Sequence, residues 1–281
     1  MNRIPVGETI RFAYAFAFGQ VGAIIGFVWL PLALAAILQF LPYALGTADS
    51  DGTAATVMGS AVFNLSMALG VWLLNAMNFV SVTRLALGTR ESTISLYFSL
   101  GAPEWRMFMS ILLCLFALVL LLGLYLATGA VLAGMLGSDI AAAIYAAIGL
   151  VGVAYVALRL VFLVPAVVVV EGKTDLVRAW ALAAGNVGRI FLVFLAVVFP
   201  ILILQTVALG LLVGHGLFAP LPMDPKQAMA ALEARRDLLD QHAPTVIGVA
   251  LVLSPFNLGL VLGAITRAYR ALAPERVRTP V

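Results

Sequence analysis

Charge is scarce in this sequence: Asp, Glu, Lys and Arg together make up 10% of 281 residues, against about 25% in an ordinary soluble domain. A chain with so few ionic groups cannot clothe a globular surface of normal polarity, which excludes a water-soluble domain. Cysteine is nearly absent. The single Cys114 lies inside the run SILLCLFALVLLLGL, so no internal disulfide framework exists, and the thiol reads as a small apolar packing residue. The two histidines, His215 and His242, stand 27 positions apart with no ligand spacing around them, a poor basis for a metal site. Catalytic signatures are missing too: there is no G-x-S-x-G, no H-E-x-x-H, no Walker loop and no paired aspartates within an apolar run. We therefore expect no enzyme activity, no catalytic residue, no metal and no cofactor.

What the sequence has in abundance is apolar length. Apolar residues reach 63% and mean hydropathy is +1.11, with runs of about 20 residues or more, each enough to cross roughly 30 Å of hydrocarbon. The runs fall at about Val21–Leu45, Val57–Ala86, Met107–Leu136, Ile140–Val170, Ile190–Val213 and Val246–Tyr269. Lipid offers no partner to a backbone N–H or C=O, so each run must be a helix that satisfies its own polar groups. Short alternating segments, the mark of a membrane β-barrel, are absent. The predicted fold is all-α: one polytopic membrane helix bundle over 1–281 with six transmembrane helices. Arg3 and Arg11 precede the first run, but Glu8 interrupts and the run to Leu45 is far longer than a signal-peptide core, so it reads as an uncleaved span.

The net charge of +3 would hint at nucleic acid in a soluble protein, but here the basic residues are sorted by side. Arg3, Arg11, Arg84, Arg90, Arg106, Arg159, Lys173, Arg178, Arg189, Arg267, Arg270, Arg276 and Arg278 flank one set of span ends, and only Lys226, Arg235 and Arg236 flank the other. That asymmetry places both termini in the cytoplasm and leaves no reason to expect a nucleic-acid partner.

Before each odd span lies a short mixed segment: GETIRFAYAFAFG (7–19), ESTISLYFSLGA (91–102) and TDLVRAWALAAGN (174–186). Gly19, Gly101 and Gly185 close them at intervals of 82 and 84 residues, and Tyr14, Tyr97 and Trp180 precede those glycines by 5, 4 and 5. The pattern predicts three pseudo-repeats, at about 5–88, 89–171 and 172–272, each an interfacial helix followed by a transmembrane hairpin. Ile94, Tyr97 and Phe98 oppose Ser92, Ser95 and Ser99 on a helical wheel, and Leu176, Val177, Trp180 and Ala184 oppose Asp175 and Arg178. Such helices would lie in the membrane plane, anchored by Tyr14, Tyr97 and Trp180 at headgroup depth. The first segment, with Phe12, Tyr14, Phe16 and Phe18 alternating with alanines, also suits a strand and is read as a helix from its parallel position. The outer loop 215–244 carries its own helix at about Pro225–Gln241, started by Asp224 as N-cap, Pro225 and Gln227. A cytoplasmic tail covers 270–281.

Arg159 is the outstanding polar residue. It stands 19 residues into an apolar stretch whose helical length is about 46 Å, more than a 30 Å core accommodates, and Pro165 is the expected kink. A buried cation needs an acid, water or lipid phosphate, and Glu171 and Asp175 are the nearby acids. Snorkelling to the interface is the simpler alternative. The amides Asn75, Asn78 and Asn257 are candidates to line a cavity around Arg159, although such side chains more often hydrogen-bond between helices. Gly259-Leu-Val-Leu-Gly263 is a small-xxx-small stripe suited to close helix contact.

Three hairpins in 281 residues look in outline like the mitochondrial carriers, but none of Pro31, Pro103, Pro165 or Pro200 begins the P-x-[DE]-x-x-[KR] signature those carriers need. A more specific likeness lies in RLVFLVPAVVVVEGKTDLVRAWALAAGNVGRIFLVFLAVVFPI (159–201). Arg159, Phe162, Pro165 and Glu171, then Ala179, Trp180 and Leu182, then Gly185, Asn186 and Arg189 follow the pattern of a known membrane domain. The segment resembles the domain attached to some bacterial glycerophosphodiester phosphodiesterases and the related stand-alone integral proteins. The resemblance implies a bacterial inner-membrane location and a role near envelope integrity. It carries over no catalytic residue, and the chain has no phosphodiesterase domain. Two expectations follow: a non-enzymatic protein of envelope integrity or lipid homeostasis acting as a scaffold, or a transporter or lipid-handling protein with a cytoplasm-open cavity around Arg159. Membrane lipids are the expected partners, with other membrane proteins or further copies of the chain as a third possibility, a subunit of a larger complex.

Overall fold

A computed structural model describes residues 3–44, 54–89, 99–136, 139–220, 222 and 224–277. Among the described residues all regular structure is helical. Six helices are long and apolar enough to cross a membrane, within Val21–Leu41, Met58–Leu87, Ala102–Gly129, Ile144–Glu171, Val187–Leu212 and Ala243–Leu272. The chain is a multi-pass integral membrane protein. In order, the helices are α1 (Val6–Gly19), α2 (Val21–Ala44), α3 (Ala54–Leu87), α4 (Ala102–Leu136), α5 (Asp139–Val161), α6 (Val164–Glu171), α7 (Leu176–Ala183), α8 (Val187–Leu212), α9 (Pro225–Gln241), α10 (Ala243–Leu272) and α11 (Pro274–Val277).

The fourth span is two helices, α5 and α6, divided by a turn at Phe162 and Leu163. Pro165 explains the division: it has no N–H to give Val161 and its ring crowds the preceding turn, so the helix stops and restarts with the proline in the first turn of α6. Gly172 then ends α6 at φ 64, a left-handed cap that only glycine adopts without cost. In the loop before the last span α9 begins where the capping signal placed it, with the Asp224 carboxylate accepting from the Lys226 N–H at 3.0 Å.

The first helix departs from the in-plane arrangement. Its residues meet α10 in descending order: Glu8 with Arg267, Ala13 and Phe16 against Gly263, Ala17 against Gly259, and Phe18 against Phe256. Thus α1 runs antiparallel alongside the second half of the last span. The cause is small-residue complementarity. A Cβ on Gly259 would come within 3.1 Å of the Ala17 Cα, and one on Gly263 within 3.3 Å of the Ala13 Cα, so the backbones approach as a glycine stripe permits. The small-xxx-small face was legible in sequence; its partner was not. The mixed segment of the second pseudo-repeat, with Tyr97, lies mostly at 90–98, outside the described residues.

A cluster of contacts gathers the ends of α1, α3, α4, α6, α8 and α10. Arg84 meets Glu104 at 4.0 Å, Arg270 donates to the Leu87 carbonyl at 2.7 Å, Tyr269 to Glu171 at 2.8 Å, and the Ile4 N–H to the Asn186 Oδ1 at 3.2 Å. We call this the basic end. The main core lies mostly there, with Val80, Met107, Leu163, Ile190, Leu262 and Tyr269 fully buried. Toward the opposite, loop end the helices separate into pairs. Ala35, Leu74 and Met77 join α2 to α3, and the Tyr125 and Tyr145 rings stack at 4.9 Å between α4 and α5. Leu204, Ala208, Val249 and Leu253 line a crevice between α8 and α10. Apolar side chains here are open on many sides, as at Leu124, Ile148, Val151 and Leu211.

Candidate functional site

Arg159 lies in the last turn of α5, and its side chain turns toward α7. The guanidinium Nε donates to the Trp180 carbonyl at 3.3 Å and Nη1 to the Tyr155 hydroxyl at 3.2 Å. Its central carbon stands 4.1 Å from the centroid of the Trp180 ring, inside cation–π range. Tyr155 reaches it because residues four apart share a helix face. Trp180 reaches it because α7 is started and aimed by Asp175, whose carboxylate accepts from the Arg178 N–H at 2.8 Å, an N-cap.

The acids expected near Arg159 are engaged elsewhere. Glu171 Oε1 accepts from Arg178 Nε at 3.2 Å and from the buried Tyr269 hydroxyl at 2.8 Å, tying α6 to α7 and α10. Asp175 serves as the cap of α7. Among the described residues Arg159 has no ion pair. Its charge is held by an aromatic face, a hydroxyl and a backbone carbonyl in place of a carboxylate.

The three amides sit apart from Arg159. Asn75 is half-buried on α3, Asn78 is fully buried on the same helix, and Asn257 is exposed on α10. The main neighbours of α3 are α2, α4 and α10, whereas those of α5 are α4, α7 and α8. Both amide atoms of Asn78 lack a hydrogen-bond partner among the described residues, a burial that costs about 1–3 kcal/mol where no partner compensates. Of the anchors, Tyr14 packs inward, its hydroxyl donating to the Ala196 carbonyl of α8 at 2.9 Å, and Trp180 holds Arg159. No group of three His, Cys, Asp or Glu side chains gathers among the described residues.

Sequence reasoning missed the network at the basic end. Arg270 donates to the Ala86 and Leu87 carbonyls, which closes the C-terminus of α3 as cations do at helix ends. Arg267 meets Glu8 across 259 positions at 2.6 Å. The only available signal was Arg in the last turn of a span, which names no partner. An apolar cavity of about 270 Å³ was equally hidden. It lies between α3, α4 and the α5–α6 junction, lined by Trp72, Phe79, Ile111, Leu118, Val161 and Pro165 among others.

No protein-family model, curated protein or solved structure matches this chain.

Proposed function

We propose that the chain is a non-enzymatic protein of the bacterial cytoplasmic membrane, with both termini in the cytoplasm, that serves envelope integrity or lipid homeostasis as a scaffold. The observation that carries this reading is where the polar side chains go. Glu171, Asp175, Arg178, Tyr269 and Arg270 each fix one segment to another or cap it, so the basic end is a set of ties around an apolar core. Arg159 is pinned against Trp180, and the amides expected to share a passage with it lie on other helices. The uneven distribution of Lys and Arg supports the orientation, and the resemblance of 159–201 supports the envelope theme.

A second reading, a lipid-handling protein, is favoured by the cavity between α3, α4 and the α5–α6 junction, whose apolar lining suits an acyl chain. Two measurements decide. Cells lacking the protein should become detergent-sensitive and recover when it is restored; normal tolerance would end the envelope role. In reconstituted vesicles a fluorescent phospholipid loaded in one leaflet should stay there, whereas movement between leaflets that depends on the chain would turn the conclusion to the second reading.

A further inference from the structure

We propose that Arg159, Tyr155 and Trp180 form a headgroup site for an acidic glycerophospholipid of the leaflet at the basic end. A guanidinium carries five N–H donors in a planar fork. Two of these are engaged, by the Trp180 carbonyl and the Tyr155 hydroxyl, which leaves three with no acceptor among the described residues. The engaged donors and the indole face fix the plane of the fork, so its free edge is presented in one orientation. Such an edge matches the paired oxygens of a phosphodiester, a geometry that arginine recognises in a bidentate manner.

The surroundings identify the source of the anion. Arg159 falls within the apolar span Ile144–Glu171, and exposed apolar side chains stand near it in sequence: Val161 on its own helix and, on α7, Val177, which is 79% exposed. A free inorganic anion would have to shed its water to arrive at that surface. A lipid phosphate is already carried at the edge of the hydrocarbon by its own chains. An unneutralised cation at such a surface is costly, and an anionic headgroup removes the cost that no carboxylate of the described chain removes. Tyr and Trp are also the side chains that settle at headgroup level. The inference deepens the lipid side of the function proposed above and rests on its membrane placement, but the binding it names does not require an envelope role.

The test is titration of purified, detergent-solubilised protein with phosphatidylglycerol, followed by mass spectrometry of the intact complex. Arg159→Ala should weaken retention about tenfold or more, the scale of one lost charge-assisted hydrogen bond or pair of them. Arg159→Lys should recover part of it, because a point charge replaces the fork. Arg106→Ala, an exposed arginine on α4, should leave it unchanged, and phosphatidylcholine should bind more weakly than phosphatidylglycerol. Unchanged retention in Arg159→Ala, an equal loss in Arg106→Ala, or equal binding of phosphatidylcholine overturns the site. Displacement by inorganic phosphate overturns the lipid as its source. If Arg159→Ala does not purify as a folded protein, Trp180→Leu keeps the charge and removes the plane that orients it, and retention as strong as in the parent chain then overturns the proposal. A normal envelope in cells lacking the protein would refute the scaffold role and leave this result standing.

Discussion

At the basic end the ends of α1, α3, α4, α6, α8 and α10 meet around one core, and toward the loop end the helices stand in pairs, α2 with α3, α4 with α5 and α8 with α10. Apolar side chains line both halves, so hydrophobicity alone does not account for the difference. In lipid, exposure of a leucine is not penalised, and helices hold together through close packing and polar contacts. The basic end has both. Gly259 and Gly263 admit α1 to backbone contact, and Glu171, Asn186 and Arg270 bridge segments far apart in sequence. Among the described residues of the loop end, α4 and α5 are joined by the Tyr125 and Tyr145 pair, with the Thr128 hydroxyl bonded to that of Tyr145, and many of the remaining side chains are aliphatic and as well served by lipid tails as by one another.

Single substitutions should therefore be unequal in effect at the two ends. Gly259→Leu should do the most harm. Its Cβ alone would meet Ile24 at 2.8 Å and the Ala17 backbone at 3.1 Å, and forcing α1 from α10 should cost about 3 kcal/mol, read as a lower midpoint of thermal unfolding in detergent. Glu171→Ala should come next, at about 2 kcal/mol, since one carboxylate oxygen accepts from both Tyr269 and Arg178; protease cleavage between α6 and α7 would report it. Tyr145→Ala should cost about 1 kcal/mol, the value of an aromatic pair, and should loosen only the α4–α5 hairpin in hydrogen exchange. Leu124→Ala, at a loop-end side chain 65% exposed, should stay within about 0.5 kcal/mol of the parent chain. A Leu124→Ala loss as large as that of Gly259→Leu would erase the distinction between the ends.

Much of the fold was legible because the bilayer constrains it so tightly. A helix in lipid must satisfy its own backbone, so span number followed from apolar length alone, and Asp224 and Pro165 marked a start and a break by local chemistry. The packing partners were not legible. The stripe at Gly259 and Gly263 said that something approaches closely, but Ala13 and Ala17, which answer it, look like ordinary helix formers in a segment that reads as interfacial. The candidate site divided in the same way. Arg159 stood out as a charge in an apolar run, and Trp180 as an aromatic anchor, yet their union depends on α7 folding back against α5. Proximity in sequence pointed to Glu171 and Asp175 as the counter-ions, and each of these had a stronger claim on it, from the Tyr269 hydroxyl and from the first turn of α7.

The contact between α1 and α10 also sets an order of events. Chains are made from the N-terminus, so α1 leaves the ribosome some 240 residues before the glycine stripe that receives it, as the positions of Ala13, Ala17, Gly259 and Gly263 show. Until then the alanine face of α1 has no permanent neighbour, and the five spans between can insert but cannot be closed. Completion of the last span is therefore the step that locks the first. A chain stopped short of α10 would leave the Ala13 and Ala17 face of α1 uncovered, with only the Tyr14 side of the helix held by α8.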